Sequence, residues 1–164
     1  MFREMRRAKC ALKTETAEKI LREGIFGVLA LSGDDGYNYA VPINYAFEDN
    51  KIYFHSALSG HKIDAVKNNE KVSFCVVGRH EVVAEEFTSY FTSVIAFGRI
   101  RITEDAAEKT RALELLADKY SPNVEKNLRD KEISRINAVK ILILEIEHLS
   151  GKAARELVRN GEIS

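Results

Sequence analysis

An excess of charge of either sign is missing from this sequence. Its 164 residues carry 25 basic and 25 acidic side chains, a formal net charge of zero. No overall field draws the chain onto nucleic acid or an anionic membrane, so any anion site must be local. Cysteine is scarce, with Cys10 and Cys75 only. Two cysteines build no disulfide framework, and Cys75, inside an apolar run, reads as a buried free thiol. No apolar run approaches ~20 residues, so no membrane span is expected. The first seven residues lack the apolar core of a signal peptide, and a reducing cytoplasm is the expected location. His55, His61, His80 and His148 have no cysteine or carboxylate at regular ligand spacing, so no metal site is expected. There is no Gly-x-Ser-x-Gly elbow. His55 and Ser56 are adjacent on a strand and point to opposite faces, which sets aside a hydrolase triad with Asp64.

What is present is an ordinary globular balance: 45% hydrophobic and 30% charged residues. No repeat, low-complexity tract or linker interrupts it, so residues 1–164 read as one domain. After a basic, irregular start, Thr14 to Glu23 reads as a helix with Thr14 or Thr16 as cap and Gly24 as stop. Ile25 to Ser32 is a strand apolar enough for burial on both faces. Gly33-Asp34-Asp35-Gly36 is a hairpin turn. Tyr37 to Phe47 is a second strand, interrupted by Pro42, which removes a ladder donor and implies an edge, a bulge or a ligand beside it. Lys51 to His55, Lys71 to Val77, Tyr90 to Ile102 and Val139 to Glu147 complete six strand signals. Gly78 to Thr88 is polar and reads as a loop.

Helices are expected over His61 to Lys67, after Asp105 with Glu108 closing a capping box, and over Lys152 to Arg159. Val124 to Arg135 reads as one or two helical turns. Leu113, Leu116, Ala117 and Tyr120 form a stripe that packs a core or an interface. This order lacks regular strand–helix alternation and fits a mainly β fold, an antiparallel barrel of six strands with flanking helices.

The stretch with most chemistry is Lys51-Ile-Tyr-Phe-His-Ser-Ala-Leu-Ser-Gly-His-Lys62. A strand breaks at Ser56, Ala57, Ser59 and Gly60 and resumes as a helix. Amides at a helix start are unpaired and favour an anion. Small residues let a ligand approach, and Lys62, with His61 beside it, supplies charge. The same residues also read as a plain helix cap. His55, at the strand end, is either a structural histidine or a group beside a ligand, able to donate a hydrogen bond or relay a proton. Arg99 and Arg101 read as a solvated strand face.

Eight segments in order carry a resemblance. They are Met5-Arg-Arg7, Gly27-Val-Leu29, Val41-Pro-Ile-Asn-Tyr45, Tyr53-Phe-His-Ser-Ala57, Gly60-His-Lys62, Val72-Ser-Phe-Cys75, Ser93-Val-Ile-Ala-Phe-Gly98 and Lys119-Tyr120. Together they resemble the flavin-binding split-barrel proteins related to pyridoxamine 5′-phosphate oxidase, most of all the 5-nitroimidazole-resistance branch. The resemblance implies a homodimer of six-stranded split barrels with FMN between the subunits and a small-molecule substrate. It places Pro42, Ile43, Asn44 and Tyr45 along the flavin ring. It sets Ser56, His61 and Lys62 around the phosphate, where Ala57 and Gly60 allow close approach, and takes Ser93 and Val94 from the partner. His55 is then the candidate catalytic group. The missing Gly-rich dinucleotide fingerprint suits FMN rather than FAD. One departure is clear: Arg155 to Ser164 is unlike the arginine-rich end that holds pyridoxamine phosphate, so that substrate is not carried over. The activity implied is reduction of a small acceptor such as a nitroimidazole. The alternative is a flavin- or haem-related binding protein of the same fold without turnover.

Overall fold

The computed structural model describes residues 2–163; Met1 and Ser164, which end the first and last segments read above, lie outside them. The chain runs α1 (Thr14–Glu23), β1 (Phe26–Ser32), β2 (Asn38–Asn44), β3 (Ala46–Glu48), β4 (Lys51–Ser56), α2 (His61–Asn68), β5 (Lys71–Val83), β6 (Thr88–Thr103), α3 (Ala106–Tyr120), α4 (Lys126–Ile133), β7 (Lys140–Ala153) and α5 (Arg155–Arg159). All strand pairs are antiparallel, in the order β2-β1-β5-β6-β7-β4-β3. The sheet curls into a split barrel whose two ends, β2 and β3–β4, are joined through Tyr45. Pro42 lies on the edge strand β2, opposite Val28, where a missing N–H costs no inner ladder bond.

Among the described residues there are seven strands rather than six, because the expected second strand breaks in two. Tyr45, Ala46 and Phe47 are buried in succession, which no regular strand on one face can do. At the break the Tyr45 amide donates to the Tyr120 hydroxyl at 2.9 Å, and that hydroxyl faces Tyr45 O at 2.8 Å and Ile25 O at 2.5 Å. The Tyr45 hydroxyl donates to Leu21 O at 2.6 Å, inside the barrel. Rings fill the interior edge to face, Tyr45 on Phe74 at 4.8 Å and Phe54 on Phe74 at 5.1 Å. A smaller cluster of Tyr53, Ala112, Ile141 and Ile143 fastens α3 to the outer side of β4 and β7.

Other expectations need correction. Gly78 to Thr88 is not a loop: after a bulge at Val77/Arg79, β5 pairs with β6 as far as Val83↔Thr88, with a turn over Ala84–Glu86. This makes an arm beyond the barrel. β1 is buried on one face only, since Gly27, Leu29 and Leu31 point in while Phe26 is 61% exposed. Cys10 is the buried thiol, and Cys75 is half-buried on the outer face. Position Lys13, not a threonine, precedes α1, without a side-chain cap. Asp105 does cap α3, accepting from Glu108 N at 2.8 Å, but the Glu108 carboxylate turns to Arg101 at 2.6 and 2.8 Å. Val124 to Arg135 contains an eight-residue helix, α4, with no buried residue. Lys152 belongs to β7, so the last helix starts at Arg155. Gly98 sits at a bulge where a Cβ would lie 2.0 Å from Glu145 O, so no larger residue fits. No helix among the described residues is long and apolar enough to cross a membrane.

Candidate functional site

The sequence-predicted residues converge on the split. β2 ends at Asn44 and β4 ends at Ser56; the next helix, α2, begins after the turn 57–60 and meets β2 near its first residues, at Tyr39. Alternation along β4 turns Phe54 and Ser56 inward and leaves His55 outward. Alternation along β2 leaves Pro42 and Asn44 exposed and half-buries Ile43. Ala57, Ser59 and Gly60 form an exposed turn. Gly60 has φ +126, which L side chains rarely adopt, and open space on its Cβ side.

Among the described residues no side chain caps α2. Its first laddered amides, Ile63 at 2.9 Å and Asp64 at 3.1 Å, both donate to Gly60 O, so the His61 and Lys62 amides precede the ladder. His61 is engaged elsewhere: it stacks on Tyr39 at 4.2 Å and lies 3.4 Å from Asp34 Oδ2, which pins the helix start to β2 and the β1–β2 turn. Lys62 makes no ion pair among the described residues. Burial pushes its ammonium below the usual lysine range. Burial, and then the nearby Lys62 charge, hold the His55 imidazole below its ordinary value. The lowered value favours the neutral imidazole, in which one nitrogen donates and the other accepts, as a proton relay requires.

Asn44 and His55 open into a cavity of about 650 Å³ between the barrel, α3 and α4. Leu113, Leu116, Val124 and Leu128 give it aliphatic walls; Tyr120 and Asn44 put polar atoms at the barrel end, and Arg129 and Arg135 lie at the α4 side. Sequence reasoning named Leu113, Leu116, Ala117 and Tyr120 as packing and missed that their stripe also walls a cavity. The signal was the same i, i+3, i+4, i+7 spacing; what it lacked was the α4 wall.

Some expected residues stand apart. Tyr45 is fully buried and its amide and carbonyl both face Tyr120, so neither is free for a ligand ring. Val94 is fully buried within the barrel, whereas Ser93, half-buried, faces outward with Ile95 and Phe97. Arg99 pairs with Glu70 and Glu147, and Arg101 with Glu108 and Glu145. Among the described residues no group of three His, Cys, Asp or Glu could hold a metal ion.

A family model for pyridoxamine 5′-phosphate oxidase matches residues 13–153. No curated protein matches the chain. Among solved structures it is similar to a candidate 5-nitroimidazole antibiotic resistance protein from Bacteroides thetaiotaomicron, with TM-score 0.75 and 21% identity over 87% of this chain and 86% of that one. It is similar to a FAD-binding protein from Mesorhizobium loti, with TM-score 0.65 and 26% identity over 88% and 96%. It is also similar to a FAD and haem binding protein from Mycobacterium smegmatis, with TM-score 0.73 and 20% identity over 93% and 80%.

Proposed function

Because the chain belongs to the pyridoxamine 5′-phosphate oxidase family, we propose that it is a flavoprotein oxidoreductase, holding FMN across the split of a homodimer and reducing a small acceptor such as a nitroimidazole. The observation that carries this reading is the Lys62 cation, unpaired among the described residues, at the start of α2 and near enough to lower the His55 pKa, with His55 in turn lining the cavity. A phosphate monoester carries about two negative charges at neutral pH and accepts charge-assisted hydrogen bonds. Lys62, the His61 and Lys62 amides and the open turn at Gly60 fit it. Asn44 and the backbone of Pro42 and Ile43 border the ring, and neutral His55 donates to it or to the acceptor. Bound FMN supplies the electron transfer; the chain supplies binding, orientation and exclusion of water.

The homodimer is supported by the outer face of β1, β5 and β6. Phe26, Val28, Val77 and Ile95 lie there exposed, an apolar surface that a second copy would cover. Ser93 lies on the same face and could reach a flavin of the partner.

The likeness to a FAD-binding protein keeps the larger flavin open as ligand, since both share the ring and the first phosphate. The likeness to a FAD and haem binding protein supports the second reading, binding without turnover. One experiment separates them. Purified protein should be yellow, and heat should release a cofactor that chromatographs as FMN. Reduced nicotinamide should bleach it, and a nitroimidazole should restore the colour. Release of FAD would replace the cofactor; a flavin that does not bleach would favour binding alone; protein that takes up no flavin would overturn both readings.

A further inference from the structure

The outer wall of the cavity is scarcely attached to the rest of the molecule. Over residues 122–138, which include α4, none is buried. Among the described residues, the hydrogen bonds of this stretch end within it or on Ser121, with one exception: Arg129 pairs with Asp118 of α3. Space lies on both sides of α4, about 650 Å³ toward the barrel and about 400 Å³ toward Arg111 and Glu114 of α3. The side chains of this stretch that line the larger space nonetheless include three apolar ones. Val124 is 43% exposed, Leu128 52%, and Ile133 is half-buried. The facing wall is fixed. α3 is capped by Asp105, buries Ala112 and Leu116, and ends on Tyr120, whose hydroxyl receives the Tyr45 amide.

We infer that residues 122–138 form a lid that swings onto the ligand held against the barrel, with Val124, Leu128 and Ile133 as its covering face. Its ligand is the flavin proposed above, so the lid rests on that reading and adds how the site is shut. A stretch that buries so little opens and closes at low cost. Val124 and Leu128 leave water when they close on a flat apolar ring, which favours the shut form only when the ring is there. The single ion pair runs to a carboxylate that is itself well exposed, so it restrains α4 weakly and lets it move. Shutting removes water from the His55 side of the cavity and limits the acceptor to molecules small enough to pass α4.

Trypsin reads the lid on the full chain, since Lys126, Arg129, Lys131 and Arg135 all lie in it. Without flavin, cuts at these positions, identified by peptide mass, should precede any cut in the barrel strands. Saturating FMN should slow them by roughly tenfold or more, while quenching of FMN fluorescence reports binding separately. Leu128→Ser, at a position already half in water, should release FMN about fivefold faster or more and lose part of the protection. Asp118→Asn should speed the cuts in flavin-free protein about two- to fivefold. FMN that binds without slowing the cuts, or that leaves at a rate untouched by Leu128→Ser, overturns the lid and leaves the flavin reading standing. Flavin-free protein cut first in the barrel strands overturns the lid as well. Protein that binds no FMN overturns both.

Discussion

Replacing Lys62 by alanine separates the phosphate from the rest of the proposed ligand. The ammonium is half-buried, unpaired among the described residues and placed in the first turn of α2. Burial has already removed part of its hydration, which is why its pKa lies below the usual range. A charge-assisted hydrogen bond contributes roughly 1.5–3 kcal/mol, so Lys62→Ala should weaken FMN about ten- to hundred-fold. The α2 amides stay in the mutant and retain ~0.3–1 kcal/mol of helix-end attraction, so binding falls without vanishing. Riboflavin has no phosphate and should bind both proteins alike. The assay is paired fluorescence titration of apo wild type and apo Lys62→Ala with each ligand. In wild type, FMN affinity should decline as pH rises through the lowered Lys62 pKa, because the cation is lost there; the mutant should lack that limb. Equal loss for both ligands would assign Lys62 to the fold or the ring, and no loss for either would move the phosphate elsewhere.

The Tyr120 hydroxyl holds the β2–β3 break, so Tyr120→Phe leaves the Tyr45 amide and a carbonyl unpaired; urea unfolding should show a loss of ~2–3 kcal/mol. Lys119 Nζ is buried 3.9 Å from the Tyr45 ring centroid with no hydrogen-bond partner among the described residues, and burial lowers its pKa from 10.5 to about 8. The unfolded chain binds the extra proton between those values, so stability should rise with pH across that window, and Lys119→Met should flatten the rise in urea midpoints taken from pH 7 to 10. Ile95→Lys puts a charge in the centre of the outer apolar face; sedimentation should then show monomers, and an intact dimer would place the interface on another surface.

Much of the fold follows from local pattern. α1 spans Thr14–Glu23 as its periodicity and Gly24 indicate, and α2 begins where Gly60 permits a turn of positive φ. What stayed hidden depends on distant partners. The β2–β3 break is held by Tyr120, 75 positions from Tyr45, and nothing beside Tyr45 marks it. The arm over Gly78 to Thr88 buries almost nothing within one chain, so it carries no apolar alternation; backbone pairing with β6 makes it a strand. Phe26 and Val28 suggested a strand buried on both faces, yet within one chain only one face is covered. At the site, the positions of His55, Asn44 and Lys62 follow from alternation and the turn chemistry. The engagement of His61 with Asp34 and Tyr39 could not be read, because those partners lie across the split.

The central claim is that one flavin mononucleotide lies across the split, phosphate at the start of α2 and ring beside Asn44 and His55. A crystal structure of the protein grown with FMN tests it most directly. The account predicts density for one FMN per chain, its phosphate oxygens within hydrogen-bonding distance of Lys62 Nζ and the His61 and Lys62 amides. Density for FMN at any other surface, or none from crystals grown in saturating FMN, would contradict it.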